Sequence, residues 1–194
     1  PICITWPDNQ STILGEKIKD EWRGHSIYMR TGTPIDPMSS LSKIRWIKEE
    51  KPEIFEKTYK FISMKEYVFY QFFKKFVVDH SIASATGMLN LQQLDWDAEA
   101  LQVAGITREH LSEPVPTTYY LQGLEDSIAE ELGILSSTPI VIGGNDGVLS
   151  NLGVNAIEPG VVAVTIGTSG AIRTVTDRPV TDPKGRIFCY ALTE

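Results

Sequence analysis

An α/β architecture is expected for this 194-residue chain, on three features. Residues before about 147 place apolar side chains at helical spacing in several runs. Two apolar runs, Pro139-Ile-Val-Ile142 and Val161-Val-Ala-Val-Thr-Ile166, read as strands, and each ends in a glycine-rich turn. After residue 147 the pattern changes from helix-rich to successive strands joined by short turns. A domain boundary is therefore expected after Asp146, with a second domain under way by Pro159.

The elements follow in order. Ile2 to Thr5 reads as a short strand. Asp8 or Ser11 can open a helix with Leu14, Ile18 and Trp22 on one face, closed by Gly24. Thr31 to Pro37 is loop, with two prolines and a glycine. Ser39 or Ser40 opens a helix carrying Leu41, Ile44 and Ile47 that ends before Pro52, where a short helix follows. Tyr59 to Ile62 resembles a strand. Ser63-Met-Lys-Glu66 is a capping box for an aromatic-rich helix, whose rings on several sides suit core packing better than a cofactor site. The small-residue run from Ser81 to Gly87 suits close helix packing, and His80 beside it reads as structural. Asp95 to Ala104 reads as a helix closed by Gly105, Thr107 to Leu111 as a short helix and Pro114-Val-Pro116 as a surface linker. Leu124 to Leu132 is an amphipathic helix closed by Gly133. The strand into Asp146, a helix from Val148 to Val154, and strands at 161–166, 171–176 and 187–192 complete the chain.

Composition narrows the function classes. Hydrophobic residues make up 42% and charged residues 22%, which is globular. The net charge of −7 comes without a basic cluster, so no nucleic-acid partner is expected. No apolar run is long enough for a membrane span, and the N-terminus lacks a signal-peptide pattern. Cys3 and Cys189 sit in apolar, strand-like runs with no metal-ligand partner nearby, which suggests buried thiols and a cytoplasmic location. Neither end reads as a tail, so the chain is expected to be a fragment of a larger protein.

Two motifs carry the chemistry. Gly143-Gly-Asn-Asp146-Gly147 brings a carboxylate to a strand's carboxyl end, where it can take a proton from a substrate hydroxyl. Taken alone, Asp146 reads more readily as the cap of the helix that follows. Gly167-Thr-Ser-Gly170 is a hydroxyl-bearing glycine turn that lets N–H groups approach phosphate oxygens. It could equally be a plain hairpin turn. Together the two suggest phosphoryl transfer to a hydroxyl, with Asp146 and Thr168 facing each other across one cleft.

The segment Met38-Ser-Ser-Leu-Ser-Lys43-Ile-Arg-Trp46-Ile-Lys-Glu-Glu50 resembles the first signature of the FGGY carbohydrate kinases, with Lys, then Trp three residues on, then apolar and acidic positions. The likeness extends along the chain. Trp6-Pro-Asp8 is similar to the family's Trp-x-Asp segment, Asp79 to Thr86 to its Asp-x-Ser-x-Ala-Ser-x-Thr stretch, Gly143 to Asp146 to its catalytic strand end, and Gly167-Thr-Ser169 to its second phosphate loop. Thr31 to Ile35 and Gly147 to Ala171 look most like bacterial gluconate kinases.

The resemblance implies an actin-like ATPase (ribonuclease H-like) fold. Residues 1–147 would supply the later part of the first domain, and 148–194 the phosphate loop and opening strands of the second. It implies ATP-dependent phosphorylation of a sugar acid, gluconate first, with xylulose or glycerol as rivals. A non-catalytic actin-like binding module is the alternative of another class. In this reading Asp146 is the general base and a magnesium contact through water. Gly167, Thr168 and Ser169 hold phosphate oxygens, while Met38, Trp6, Asp8 and Asn145 line or brace the sugar site. Trp6, Asp8 and Met38 can as well be structural. The family's first phosphate loop is absent from these residues, so the isolated chain is expected to be inactive. Gln10 and Asp36 depart from the usual Arg and His. A homodimer is among the assemblies left open.

Overall fold

A computed structural model describes residues 3–167 and 170–192. The first helices are α1 (Thr12–Glu21), α2 (Gly24–Thr31), α3 (Ser40–Glu50), α4 (Pro52–Phe55) and α5 (Met64–Phe73). Strand β1 (Val77–Asp79) leads directly into α6 (His80–Ala85), and the short strands β2 (Leu89–Asn90) and β3 (Asp95–Trp96) precede α7 (Ala98–Ala104). Then come β4 (Glu113–Val115), β5 (Tyr120–Leu121), α8 (Asp126–Leu132), β6 (Ile140–Val141), α9 (Asp146–Gly153), β7 (Val162–Ile166) and β8 (Gly170–Thr174). Strands β1 and β4 pair in parallel; β2 with β3, β5 with β6 and β7 with β8 pair antiparallel.

Capping chemistry sets several boundaries. The Ser39 hydroxyl accepts from the Ser42 N–H at the start of α3. At α5 both arms of the capping box form: Ser63 accepts from the Glu66 N–H, and the Glu66 carboxylate accepts from the Ser63 N–H at 2.6 Å. Burial pushes the Glu66 carboxyl above its usual range. Gly105 and Gly133 close α7 and α8 in the left-handed conformation.

One core cluster joins Ile18, Ile27, Leu41, Val78, Met88, Leu89 and Trp96. A smaller one, formed by Phe69, Val77, Val115 and Ile142, lies under the ends of β1 and β6. On α5, Phe69 is buried while Tyr67 stays exposed. Among the described residues no helix is long and apolar enough to cross a membrane.

Several expectations are corrected. Residues 3–5 and 59–62 form no strand; the Phe61 N–H instead donates to the His110 carbonyl at 2.9 Å. Gly24 opens α2 rather than closing α1, because Arg23 takes the left-handed conformation between the two helices. Asp95 and Trp96 belong to β3, and Asp97 caps α7. Pro114 lies inside β4 and not in a linker. Its missing N–H is tolerated because β4 is bonded on one side, to β1, among the described residues. Trp46 is half-buried.

Residues 187–192 are not a strand either. This segment is pinned by separate bonds to scattered partners. The Tyr28 hydroxyl donates to the Ile187 carbonyl (3.0 Å) and accepts from the Asp182 N–H (2.9 Å). The Cys189 N–H donates to Gly32 O (2.9 Å), the Ala191 N–H to Ser84 Oγ (3.2 Å), and Thr117 Oγ1 to Leu192 O (2.8 Å). Gly32 permits the approach: at φ +70°, a Cβ there would lie 2.7 Å from the Cys189 carbonyl oxygen. Cys189 is thus half-buried and outside any strand, and Cys3 is exposed, so neither is the buried strand thiol expected.

Candidate active site

Two strand ends converge. Asp79 ends β1 fully buried, with Oδ1 accepting from the N–H groups of Ser81 (3.0 Å) and Ile82 (3.1 Å) and from the Ser81 hydroxyl. Its Oδ2 accepts from Lys65 Nζ at 2.7 Å, and the same ammonium donates to the Gly144 carbonyl at 3.1 Å. Lys65 therefore ties the end of β1 to the loop after β6. Ser81 adds a second tie, its hydroxyl accepting from the Asn145 N–H (2.8 Å) and its carbonyl from Asn145 Nδ2 (3.2 Å). The Ser81 hydroxyl both donates and accepts, as one O–H with two lone pairs allows. Gly143 turns the chain at φ +66°, and a Cβ on Gly144 would crowd Ser81 Oγ at 3.2 Å.

This scaffold decides what Asp146 does. Asn145 is the N-cap of α9, its Oδ1 accepting from the Val148 N–H at 2.8 Å. Asp146 is therefore not the cap. It occupies the first helical position, exposed, and accepts only from the Gly147 N–H (2.7 Å) among the described residues. Its carboxylate is left at the positive end of the helix, available to a ligand.

A cavity of about 200 Å³ is lined by Thr33, Asp36, Met38, Ser39, Ala85, Phe188 and Tyr190. Asp36 Oδ1 accepts from the N–H groups of Met38 (2.8 Å) and Ser39 (3.0 Å), which shapes the turn before α3. Burial, then the Asp36 carboxylate, pushes the Tyr190 phenol up to about 12, with Arg173 acting in the opposite sense and Asp146 adding to the rise. Tyr190 thus stands in the fields of both the cavity acid and Asp146.

The other expected residues divide. Met38 lines the cavity. The Asn145 amide is committed to capping α9 and bonding Ser81. Trp6 and Asp8 are not among the cavity-lining residues, and Trp6 is 75% exposed. Their segment is held by Lys43, the lysine of the signature, which donates to the carbonyls of Thr5 (2.8 Å) and Trp6 (3.0 Å). Burial lowers the Lys43 ammonium from its usual range, against the pull of Asp8 and Asp36. Gln10 does for Asp8 what a cation would, donating from Nε2 at 2.7 Å and from its backbone N–H at 3.1 Å. Those bonds hold the Asp8 carboxyl below its usual range. Gly167 follows β7 as an exposed bend, while Thr168 and Ser169, and with them the expected closeness of Thr168 to Asp146, lie outside the described residues.

Lys65, Phe188, Tyr190 and Arg173 were not singled out by sequence. Lys65 looks like any charge in the first turn of an amphipathic helix. Phe188 and Tyr190 read as strand residues. Arg173 left one faint signal, a cation within the apolar run 171–175.

With this geometry in place, known proteins can be set beside the chain. The family profile described as the FGGY family of carbohydrate kinases, N-terminal domain, matches residues 2–153. A gluconokinase of Bacillus subtilis is 62% identical over 99% of this chain, which spans 37% of that relative's length. A solved gluconate kinase of Lactobacillus acidophilus superposes with a TM-score of 0.94 at 39% identity, over 98% of this chain and 39% of its own. A ligand-bound xylulose kinase of the same organism superposes with a TM-score of 0.93, also at 39% identity, over 97% of this chain and 39% of its own. The architecture is the actin-like ATPase fold of these sugar kinases. The chain belongs to the FGGY family of carbohydrate kinases.

Proposed function

We propose that the whole protein transfers the γ-phosphoryl group of ATP to gluconate, giving 6-phosphogluconate, in the cytoplasm. The observation that carries the chemistry is the carboxylate of Asp146: Asn145 has taken over the capping, and Asp146 is left exposed, within electrostatic reach of Tyr190 in the cavity lining. The choice of gluconate is supported by the 62% identity to a gluconokinase. Residues 1–147 are assigned to the later part of the N-terminal domain and 148–194 to the start of the C-terminal domain.

Asp146 accepts the proton of the attacking hydroxyl. Met38 lies against the sugar, while Asp36 and Tyr190 take hydrogen bonds from its hydroxyls. Asn145 holds Asp146 in place, and Trp6 and Asp8 brace the entrance through Lys43. Gly167, Thr168 and Ser169 are assigned to the nucleotide phosphates.

Magnesium fits in one way. Among the described residues no three His, Cys, Asp or Glu side chains gather around a metal position. A magnesium ion that keeps most of its waters needs only one or two carboxylates, and Asp146 can offer its second oxygen. When bound, the ion would offset charge on the phosphates.

The cavity also supports a second reading. Among the described residues its lining contains the carboxylate of Asp36 and no cation, which suits a neutral polyhydroxy chain, and the xylulose kinase superposes about as well as the gluconate kinase. A coupled assay of the full-length protein over gluconate, xylulose and glycerol separates the two. Asp146→Asn is expected to lower kcat by about 10²–10⁴-fold with sugar affinity retained. Near-normal kcat would remove Asp146 from the chemistry.

A further inference from the structure

Arg173 is a cation at the reacting end of the site with no role so far. It lies on β8 opposite Ala163 of β7, half-buried, while its neighbours Ile172 and Thr174 face outward. Its guanidinium reaches the start of α9: a Cβ built on Gly147 would lie 3.4 Å from Arg173 Nε and 3.9 Å from Nη2. Among the described residues its side chain makes one hydrogen bond, from Nη1 to Thr165 Oγ1 at 3.3 Å. Nε and Nη2 remain available to a ligand beside Asp146.

Two anionic groups could use them, a sugar carboxylate or the phosphoryl group in transit. Position decides. With the reacting hydroxyl on Asp146, phosphorus would sit about 3–3.5 Å from that oxygen, and the Arg173 guanidinium reaches the next residue along, Gly147. The carboxylate of a six-carbon acid is at the other end of the chain, away from the reacting hydroxyl.

We propose that Arg173 holds the oxygens of the transferring phosphoryl group, an assignment that rests on the kinase function proposed above. A lone pair of the substrate hydroxyl forms the new O–P bond to the γ-phosphorus. The bond from that phosphorus to the bridging oxygen breaks, and its electron pair leaves with ADP. The hydroxyl proton passes to Asp146. Arg173 stays protonated throughout and donates hydrogen bonds to oxygens on which charge accumulates in the transition state.

The test uses the full-length protein with Arg173→Ala and Arg173→Lys. Steady-state kinetics, calorimetry of gluconate without nucleotide, and thermal melting are compared with wild type. Arg173→Ala is expected to lower kcat by about 10²–10³-fold, the range for one transition-state donor. Gluconate affinity and melting temperature should hold, Arg173→Lys should keep more activity, and added guanidinium should restore part of the loss. Unchanged kcat overturns the assignment. So does lost gluconate affinity with kcat retained, which would make Arg173 a carboxylate ligand. Loss of activity together with melting temperature in both variants, without rescue, would make it a packing residue. If wild type phosphorylates none of the sugars, the kinase reading falls and this assignment with it. If wild type turns over and Arg173→Ala matches it, only the assignment falls.

Discussion

The lattice beneath Asp146 and the hairpin β7–β8 are built on opposite principles. Under Asp146, polar groups are buried and their bonds are made: Asp79, Ser81 and Asn145 are all buried and bonded to one another or to Lys65. On the hairpin, apolar groups face water. Val162, Val164, Ile166 and Ile172 share one outward face, with Ile166 86% and Ile172 79% exposed. The first region is satisfied by its own residues. The second has a Val/Ile face that no described residue covers, and an inner face on which Arg173 and Thr165 alternate with Ala163 and Ala171. Rigidity at the proposed base therefore comes from hydrogen bonds within this chain, whereas the hairpin gains little from its outer face.

The contrast can be broken hardest at Asp79. Asp79→Ala removes the acceptor for Lys65 and for two N–H groups of α6, leaving buried donors without a partner. About 3–5 kcal/mol of stability should be lost in urea unfolding, as for other broken buried pairs. A loss below about 1 kcal/mol would mean that the lattice carries little of the fold.

A second test is pH. Arg30 bonds Asp97 through Nε (2.6 Å) and Nη2 (2.8 Å) and Glu99 through Nη2 (2.7 Å). Burial pushes the Asp97 carboxyl up, but the Arg30 guanidinium outweighs it, and the carboxyl ends below its usual range. A carboxylate depressed in the folded state stabilises above its unfolded pKa of about 3.9 and loses that contribution as pH falls through the folded value. Arg30→Met should cost about 1.5–3 kcal/mol at pH 7, with the gap from wild type narrowing below about pH 4. A gap that stays constant from pH 7 to pH 2 would contradict this.

The smallest effect belongs to the hairpin. Ile172→Thr keeps a β-branched residue on an exposed face and should change stability by no more than about 0.5 kcal/mol. A larger loss would show that the face is covered in solution.

Sequence showed much of this, though unevenly. Helices with strong caps were readable, as at Ser39, Ser63, Gly105 and Gly133, because capping is local chemistry. The strands were uneven. The apolar runs at 139–142, 161–166 and 171–176 read as strands and contain or overlap β6, β7 and β8, whereas β4 was hidden by its proline and β5 is two residues, too short for alternation to register. Segment 187–192 has strand-like composition, but its bonds go to Gly32, Ser84 and Thr117, partners that no local pattern predicts. The same holds at the site. Asp146 and Met38 stood out by motif. Lys65, Tyr190 and Arg173 matter because of what the fold brings beside them.

The pinned segment 182–192 has a kinetic consequence. The hairpin is tethered at both ends, through α9 to the Asn145–Ser81 bonds and through residues 182–192 to Tyr28, Gly32 and Ser84. A ribbon anchored at both ends explores far less volume than one hanging from a single point. Its effective concentration at the α9 terminus is set by the two short connections and not by diffusion. Arg173 is thus kept beside Gly147 by chain connectivity as much as by contact, and each return after a fluctuation is fast.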